Sequence, residues 1–238
     1  MSHGAPMPAV THLPQSHPMR KLPMIGGVVG GVGLLAAVGL AFAGESKDFF
    51  FSYTVAYLYF LSIALGCLFF VIIHHATSAG WSVVVRRIAE NAMYTLPAMA
   101  VLFIPVAVGY HDLWHHWVDA EVVANDAVLQ GKQAYLNVPF FFARAVLYFA
   151  LWSLLAWFFR GNSVAQDSSG DPELTTKMRM RSYPSIAIFA LTLTFAAIDW
   201  IMSMDPHWFS TMWGVYFFSG SVLSMFSFLA LVGLLMRR

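Results

Sequence analysis

Six stretches of this sequence run for about twenty residues with almost no charge, and that length decides most of what the chain can become. A hydrocarbon core of ~30 Å takes about 20 helical residues to cross. The segments near Pro23–Ala43, Phe50–Ile73, Ala92–Val108, Val138–Phe159, Tyr183–Met204 and Met212–Met236 come close to it or exceed it. Lipid offers no water to open backbone groups, so each must be a helix. Composition agrees, with 59% hydrophobic and only 11% charged residues where soluble domains carry about a quarter. The expected fold is all-α: a polytopic membrane helical bundle of six transmembrane helices, one domain over residues 23–238, behind a disordered tail at 1–22.

Orientation follows from where Lys and Arg fall between the spans. Arg20, Lys21, Arg86, Arg87, Arg160, Lys177, Arg179, Arg181, Arg237 and Arg238 lie on one side, ten in all. Only Lys47 and Lys132 lie on the other, beside Glu45, Asp48, Asp112, Asp119, Glu121 and Asp126. Ten against two places both termini in the cytoplasm. The first segment has a rival reading, because Ala41-Phe42-Ala43 resembles a signal-peptidase site. Its length and its Gly26-xxx-Gly30 and Gly27-xxx-Gly31 pairs, which suit close helix packing in lipid, favour a retained helix. The tail's His3, His12 and His17 are too irregularly spaced for a metal site. Gly161–Asp171 reads as a polar loop, and Asp171-Pro172-Glu173 as the capped start of a short surface helix. Trp81–Glu90 reads as a second surface segment.

A net charge of +1 gives no attraction to nucleic acid. The single cysteine, Cys67, excludes a cysteine-held iron–sulfur cluster and a covalently attached haem within the chain. His74 and His75 sit together at a helix end, not deep and facing as two axial haem ligands must. His111 and His115 have the i,i+4 spacing of a shared metal site, but no third ligand has fixed spacing. "GYHDLWHHWVDAE" reads instead as an interfacial segment with Trp114 and Trp117 at headgroup level. No metal site is expected. Pro97 and Pro105 should bend the third helix and free carbonyls there. Gly220, Ser224 and Ser227 form a small-residue seam in the sixth.

Two ionisable residues fall inside spans. Arg144 lies roughly 9 Å from the outer end of the fourth and Asp199 about 8 Å from that of the fifth, at 1.5 Å per residue. The two helices run antiparallel, so the charges reach similar depth. A lone charge there costs at least ~2.5–3.5 kcal/mol, which makes an Arg144–Asp199 pair the expected arrangement. Such a pair serves either as a static register lock or as a functional site. Ser185, Thr192 and Asp199 recur every seven residues along one face, with Ser203 four further on, as a proton half-channel would need. The plain alternative is that these hydroxyls bond to their own helix. Asp205-Pro206 reads as the cap and first turn of the sixth helix, with Trp208 and Trp213 as interfacial anchors. His207 then faces the outer compartment.

"GWSVVVRRIAE", "AYLNVPFFFARAVLYFALWSLLAWFFR" and "LTLTFAAIDWIMSMDPHWFSTMWGVYFFSG" together resemble one family, over most of residues 45–238. It is the second of the two large, mutually related membrane subunits of alternative complex III, a bacterial quinol:cytochrome c oxidoreductase, similar to polysulfide-reductase-type membrane subunits. The resemblance implies a multi-pass subunit of the bacterial inner membrane, associated with quinone (menaquinone or ubiquinone) and without covalent cofactors. Haem and iron–sulfur groups would reside in partners: an iron–sulfur subunit and c-type cytochromes, beside a homologous membrane subunit. Asp199, Arg144, Asp205 and His207 are the positions carried over as quinone or proton-path candidates, and Ser185, Thr192 and Ser203 join them from the stripe. The family continues beyond the span that ends here, so the sequence is read as a fragment or a short variant. The competing functions are a proton-conducting subunit or transporter using Asp199, and a scaffold with no site.

Overall fold

The computed structural model describes residues 18–42 and 46–236. The predicted tail with its three histidines, Ala43 of the signal-peptidase reading, and Arg237 and Arg238 lie outside the described residues, save for a short 3₁₀ turn at Pro18–Lys21. The helices follow as α1 (Leu22–Phe42), α2 (Ser46–Ala76), α3 (Val83–Met93), α4 (Leu96–Leu102), α5 (Ile104–Val108), α6 (Tyr110–Leu113), α7 (His115–Val118), α8 (Ala120–Ala124), α9 (Ala127–Lys132), α10 (Val138–Ser169), α11 (Pro172–Trp200) and α12 (Trp213–Met236). No strand occurs among the described residues. Six helical stretches are long and apolar enough to cross a membrane, with α3, α4 and α5 in series forming one of them.

α2 is the hub, packing on α1, α3, α11 and α12 and touching α10. Its closest approach is to α12 at Gly66, where an added Cβ would meet the Ser221 carbonyl and sit 2.8 Å from the Met225 Cβ. Without a hydrophobic drive between helices in lipid, such backbone proximity is how two spans gain contact. The α12 seam therefore runs through buried Gly214, Ser221, Met225 and Leu229. It does not run through Gly220 and Ser227, which are exposed, with nothing within 4 Å of a Cβ at Gly220. α1 lies against α2 with its outward apolar side chains uncovered.

Several boundaries differ from expectation for one physical reason: polar helix beyond the lipid has no hydropathy signal. Residues 83–90 are the first turns of the third span, not a separate surface piece. α10 continues to Ser169 through the supposed loop and stops at Gly170, whose φ of 64° is the left-handed conformation that favours glycine. Asp171 does cap a helix, accepting from the Glu173 N–H at 2.8 Å, but that helix is the whole of α11 with Pro184 inside it.

The third span breaks at Phe103, beside Pro105. Tyr53 and Tyr57 of α2 donate to carbonyls around that break, to Leu102 at 2.7 Å and Met99 at 3.0 Å. Freed carbonyls in lipid need such donors. The loop between the third and fourth spans folds into α6–α9 and returns over the bundle end. Trp114 and Trp117 are consequently buried against Phe141, with ring centroids at 4.7 and 5.4 Å, and are not headgroup anchors. The helix also breaks at Trp114, which removes the regular i,i+4 geometry assumed for His111 and His115.

Candidate functional site

Asn137 starts α10 by accepting from the Phe140 N–H at 3.0 Å, with Pro139 in the first turn, so Arg144 enters the bundle about two turns along. α11 returns antiparallel and carries Asp199 at its penultimate position. The two side chains meet as a bidentate pair: Arg144 Nε donates to Asp199 Oδ2 at 2.8 Å and Nη2 to Oδ1 at 2.9 Å. Asp199 has no exposure and Arg144 is 7% exposed. One turn beyond Arg144, the Tyr148 hydroxyl donates to Asp199 Oδ2 at 2.8 Å. Arg144 Nη1 donates to the Tyr135 carbonyl at 3.0 Å, and the guanidinium lies over the rings of Tyr135 and Phe140 at 3.9 and 4.3 Å. Three of the five N–H donors and two aromatic rings thus engage the cation, the kind of compensation a buried charge requires. Burial, reinforced by the Asp199 charge, raises the Tyr135 hydroxyl above the usual phenol range.

An aromatic box seals the inner side. Trp200 stacks on Phe149 at 5.3 Å and packs near Phe103 at 4.9 Å and edge-on to Trp152 at 5.8 Å. Excluding water in this way strengthens the pair's attraction. Two further indoles serve the carbonyl end of α11: Trp213 Nε1 donates to the Ala197 carbonyl at 3.1 Å and Trp117 Nε1 to that of Ser203 at 3.0 Å. The Ala197 carbonyl also accepts from the Ile201 N–H at 3.2 Å, and Ser203 lies in the 3₁₀ turn that follows α11, so the two indoles pin that turn to the bundle.

The polar stripe is occupied differently from a conduit. Ser185 donates to the Arg181 carbonyl at 2.7 Å, Thr192 to that of Ile188 at 2.7 Å, and Ser203 to that of Asp199. Thr192 also accepts from Trp152 Nε1 at 2.9 Å. Indole nitrogen only donates and relays no proton, so Thr192 is closed on both sides.

Asp205 and His207 are not brought to the pair. Asp205 Oδ1 accepts from the His207 N–H at 3.3 Å in a turn, and α12 begins only at Trp213, so Asp205-Pro206 caps no helix. His207 Nε2 lies 2.5 Å from Asp126 Oδ2, and Lys132 donates to the Pro206 carbonyl, tying this turn to α9 and its cap. Hydrogen bonds from His207 and from the Leu129 N–H hold Asp126 below the usual carboxylate range. Burial and the neighbouring His115 lower His116.

A second buried carboxylate, Glu90, escaped sequence reasoning. It has no exposure and accepts from the Ser163 hydroxyl at 2.8 and 2.9 Å. Arg87 Nη1 stands 2.8 Å from Oε2 and Arg86 Nε 3.4 Å from Oε1. The i,i+3 and i,i+4 spacing of Arg87, Arg86 and Glu90 was the available signal. Tyr148 had the same kind of signal, four residues after Arg144. Nearby, His74 Nδ1 is 2.6 Å from the Phe70 carbonyl and His75 stacks on Phe159 at 5.5 Å.

A cavity of 740 Å³ opens between α1, α2, α4 and α12, almost wholly apolar, with Tyr53 and Tyr57 in its wall. A groove of 450 Å³ runs between α4–α5 and α10. Neither is lined by Arg144 or Asp199. The chain is a polytopic helical bundle of membrane type, and no protein-family model and no curated protein matches its sequence.

Proposed function

We propose that the chain is a quinone-associated membrane subunit of a bacterial respiratory quinol:cytochrome c oxidoreductase of the alternative complex III type, with both termini toward the cytoplasm. The observation that carries the reading is the Arg144–Asp199 pair, sealed within the two longest runs that resemble that family. Electrons from quinol then pass to haem and iron–sulfur groups in partner subunits, because one cysteine cannot ligate a cluster. The chain serves the reaction without being catalytic alone.

Within this reading Arg144 and Asp199 lock α10 to α11, and quinone lies elsewhere. The 740 Å³ cavity supports that assignment: it is apolar, large enough for a ring and part of a tail, and has two phenols in its wall. Tyr53 and Tyr57 give their hydrogens to backbone carbonyls, which leaves their oxygens able to accept from a quinol O–H. A proton path through Ser185, Thr192 and Asp199 gains less support, since the hydroxyls are spent on their own helix and on Trp152.

A photoreactive quinone analogue tests the reading in membranes. Labelling should fall on the peptides holding Tyr53–Tyr57 or Met99–Leu102, be competed by excess quinone, and vanish in Ala64→Trp, which fills the cavity. Label that quinone does not compete, or that ignores Ala64→Trp, overturns the assignment.

A further inference from the structure

The 740 Å³ cavity between α1, α2, α4 and α12 has three polar side chains in its wall, Tyr53, Tyr57 and Thr95. All three hydroxyls have already committed their hydrogens. Tyr53 donates to the Leu102 carbonyl at 2.7 Å, Tyr57 to that of Met99 at 3.0 Å, and Thr95 to that of Ala92 at 2.7 Å. A hydroxyl has one hydrogen and two lone pairs, so each can still accept. None can donate to a ligand without breaking the bond it holds.

The three are not equally placed. The Tyr57 bond is buried, whereas those of Tyr53 and Thr95 are open, so a ligand reaches these two. Thr95 can turn at little cost, because the Ala92 carbonyl keeps the Thr95 N–H at 3.1 Å. Tyr53 cannot. The third span breaks at Phe103, and among the described residues no backbone N–H bonds the Leu102 carbonyl, so the Tyr53 hydroxyl is the donor that serves it. Turning that hydroxyl toward a ligand strands the carbonyl where lipid offers no replacement. Leu102 lines the same cavity, and the Tyr53 ring stacks on that of Tyr57 with centroids 6.3 Å apart, which holds the hydroxyl at the wall.

Hydrogen-bond polarity then separates two ligands of nearly the same shape. A quinol presents O–H groups, and a quinone presents carbonyls in their place. Only the quinol has a hydrogen for Tyr53 Oη. We propose, resting on the reading that this cavity takes quinone-type lipids, that Tyr53 makes it selective for the reduced form, one quinol O–H donating to Tyr53 Oη and the tail lying along Ala56, Phe60 and Ala64. From Tyr53 to Ala64 this wall runs about 16 Å down α2 at 1.5 Å per residue, room for the ring and the first part of a tail. The break in the third span sets the selectivity, because it fixes the direction in which Tyr53 donates.

Competition for the photoreactive quinone label, in membranes kept anaerobic, tests the selectivity. The competitors are a short-tailed ubiquinol, the matching ubiquinone and that quinol's dimethyl ether, with the same three forms of a menaquinone. The ether keeps the quinol's ring and tail but has no hydrogen to donate. On wild type the quinol should displace the label at about tenfold lower concentration than the quinone or the ether, the order of cost of one stranded acceptor. Ala56→Gln sets amide hydrogens one turn from Tyr53, at an exposed position, and should bring the quinone level with the quinol. Thr95→Val should leave the quinol's advantage intact. Equal displacement by all three forms on wild type overturns the selectivity while leaving the cavity a quinone site. So does an ether that matches the quinol, which makes ring shape the cause, or an advantage lost in Thr95→Val, which moves it to that hydroxyl. Label that none of the three displaces removes the quinone reading itself, and the proposal with it.

Discussion

Replacing Arg144 with Leu leaves Asp199 fully buried with one remaining side-chain donor, Tyr148. Two charge-assisted bonds to the carboxylate and one to the Tyr135 carbonyl are lost together. Breaking a buried pair from one side costs about 3–5 kcal/mol, because the other charge stays in a dry site. Asp199→Leu should cost a similar amount by stranding the guanidinium. The double variant removes both charges and leaves only the Tyr148 hydroxyl and the Tyr135 carbonyl short of partners, about 2–3 kcal/mol in all. The singles and the double therefore should not add, and the cycle should return a coupling of at least about 3 kcal/mol. Lys132→Leu is the control: it loses one bond, to Pro206, at a partly exposed position, worth below about 1 kcal/mol. Reversible unfolding in mixed micelles gives all four values. Additive singles, or an Arg144→Leu no worse than Lys132→Leu, would refute the lock.

Glu90→Leu should destabilise by about 2–3 kcal/mol, less than a sealed pair because Arg86 and Arg87 still reach water, as read by thermal unfolding in detergent. Gly66→Ala should separate α2 from α12 at Ser221 and cost about 1–3 kcal/mol, whereas Gly220→Ala should be silent in the same assay. The loop over the bundle end should loosen in acid in two stages, followed by hydrogen exchange of residues 110–137 and 205–212. His116 is depressed, so the unfolded chain protonates first and stability falls as pH drops through about 6.5. Asp126 is also depressed, so its contribution is present above its ordinary value of about 3.8 and is lost as pH falls through its lower folded value. Asp126→Asn should abolish the second stage alone.

The spans and the buried pair were legible in the sequence because both follow from lipid as solvent. Twenty apolar residues admit one conformation, and two charges at matched depth must meet. What stayed hidden depends on chain returning from outside the membrane. Trp114 and Trp117 looked like interfacial anchors because nothing local says that α6–α9 fold back over Phe141. Asp205-Pro206 has the chemistry of a helix start, yet Lys132 and Asp126 hold that turn away from α12, a contact 74 or more residues apart in sequence. Glu90 looked like a solvated charge because Ser163, its hydroxyl partner, lay in what read as a loop. The stripe of Ser185, Thr192 and Ser203 was seen correctly as a periodicity. Only the carbonyl partners of those hydroxyls separated local helix bonding from a conduit.

The central claim is that this bundle belongs to a quinol-oxidising assembly whose redox groups sit in other subunits. Extraction in mild detergent followed by mass spectrometry and haem spectroscopy of what co-purifies tests it most directly. An iron–sulfur polypeptide, c-type haem and a second, related multi-pass subunit should appear in constant proportion to this chain. A chain that purifies intact without haem, iron–sulfur protein or membrane partner contradicts the claim.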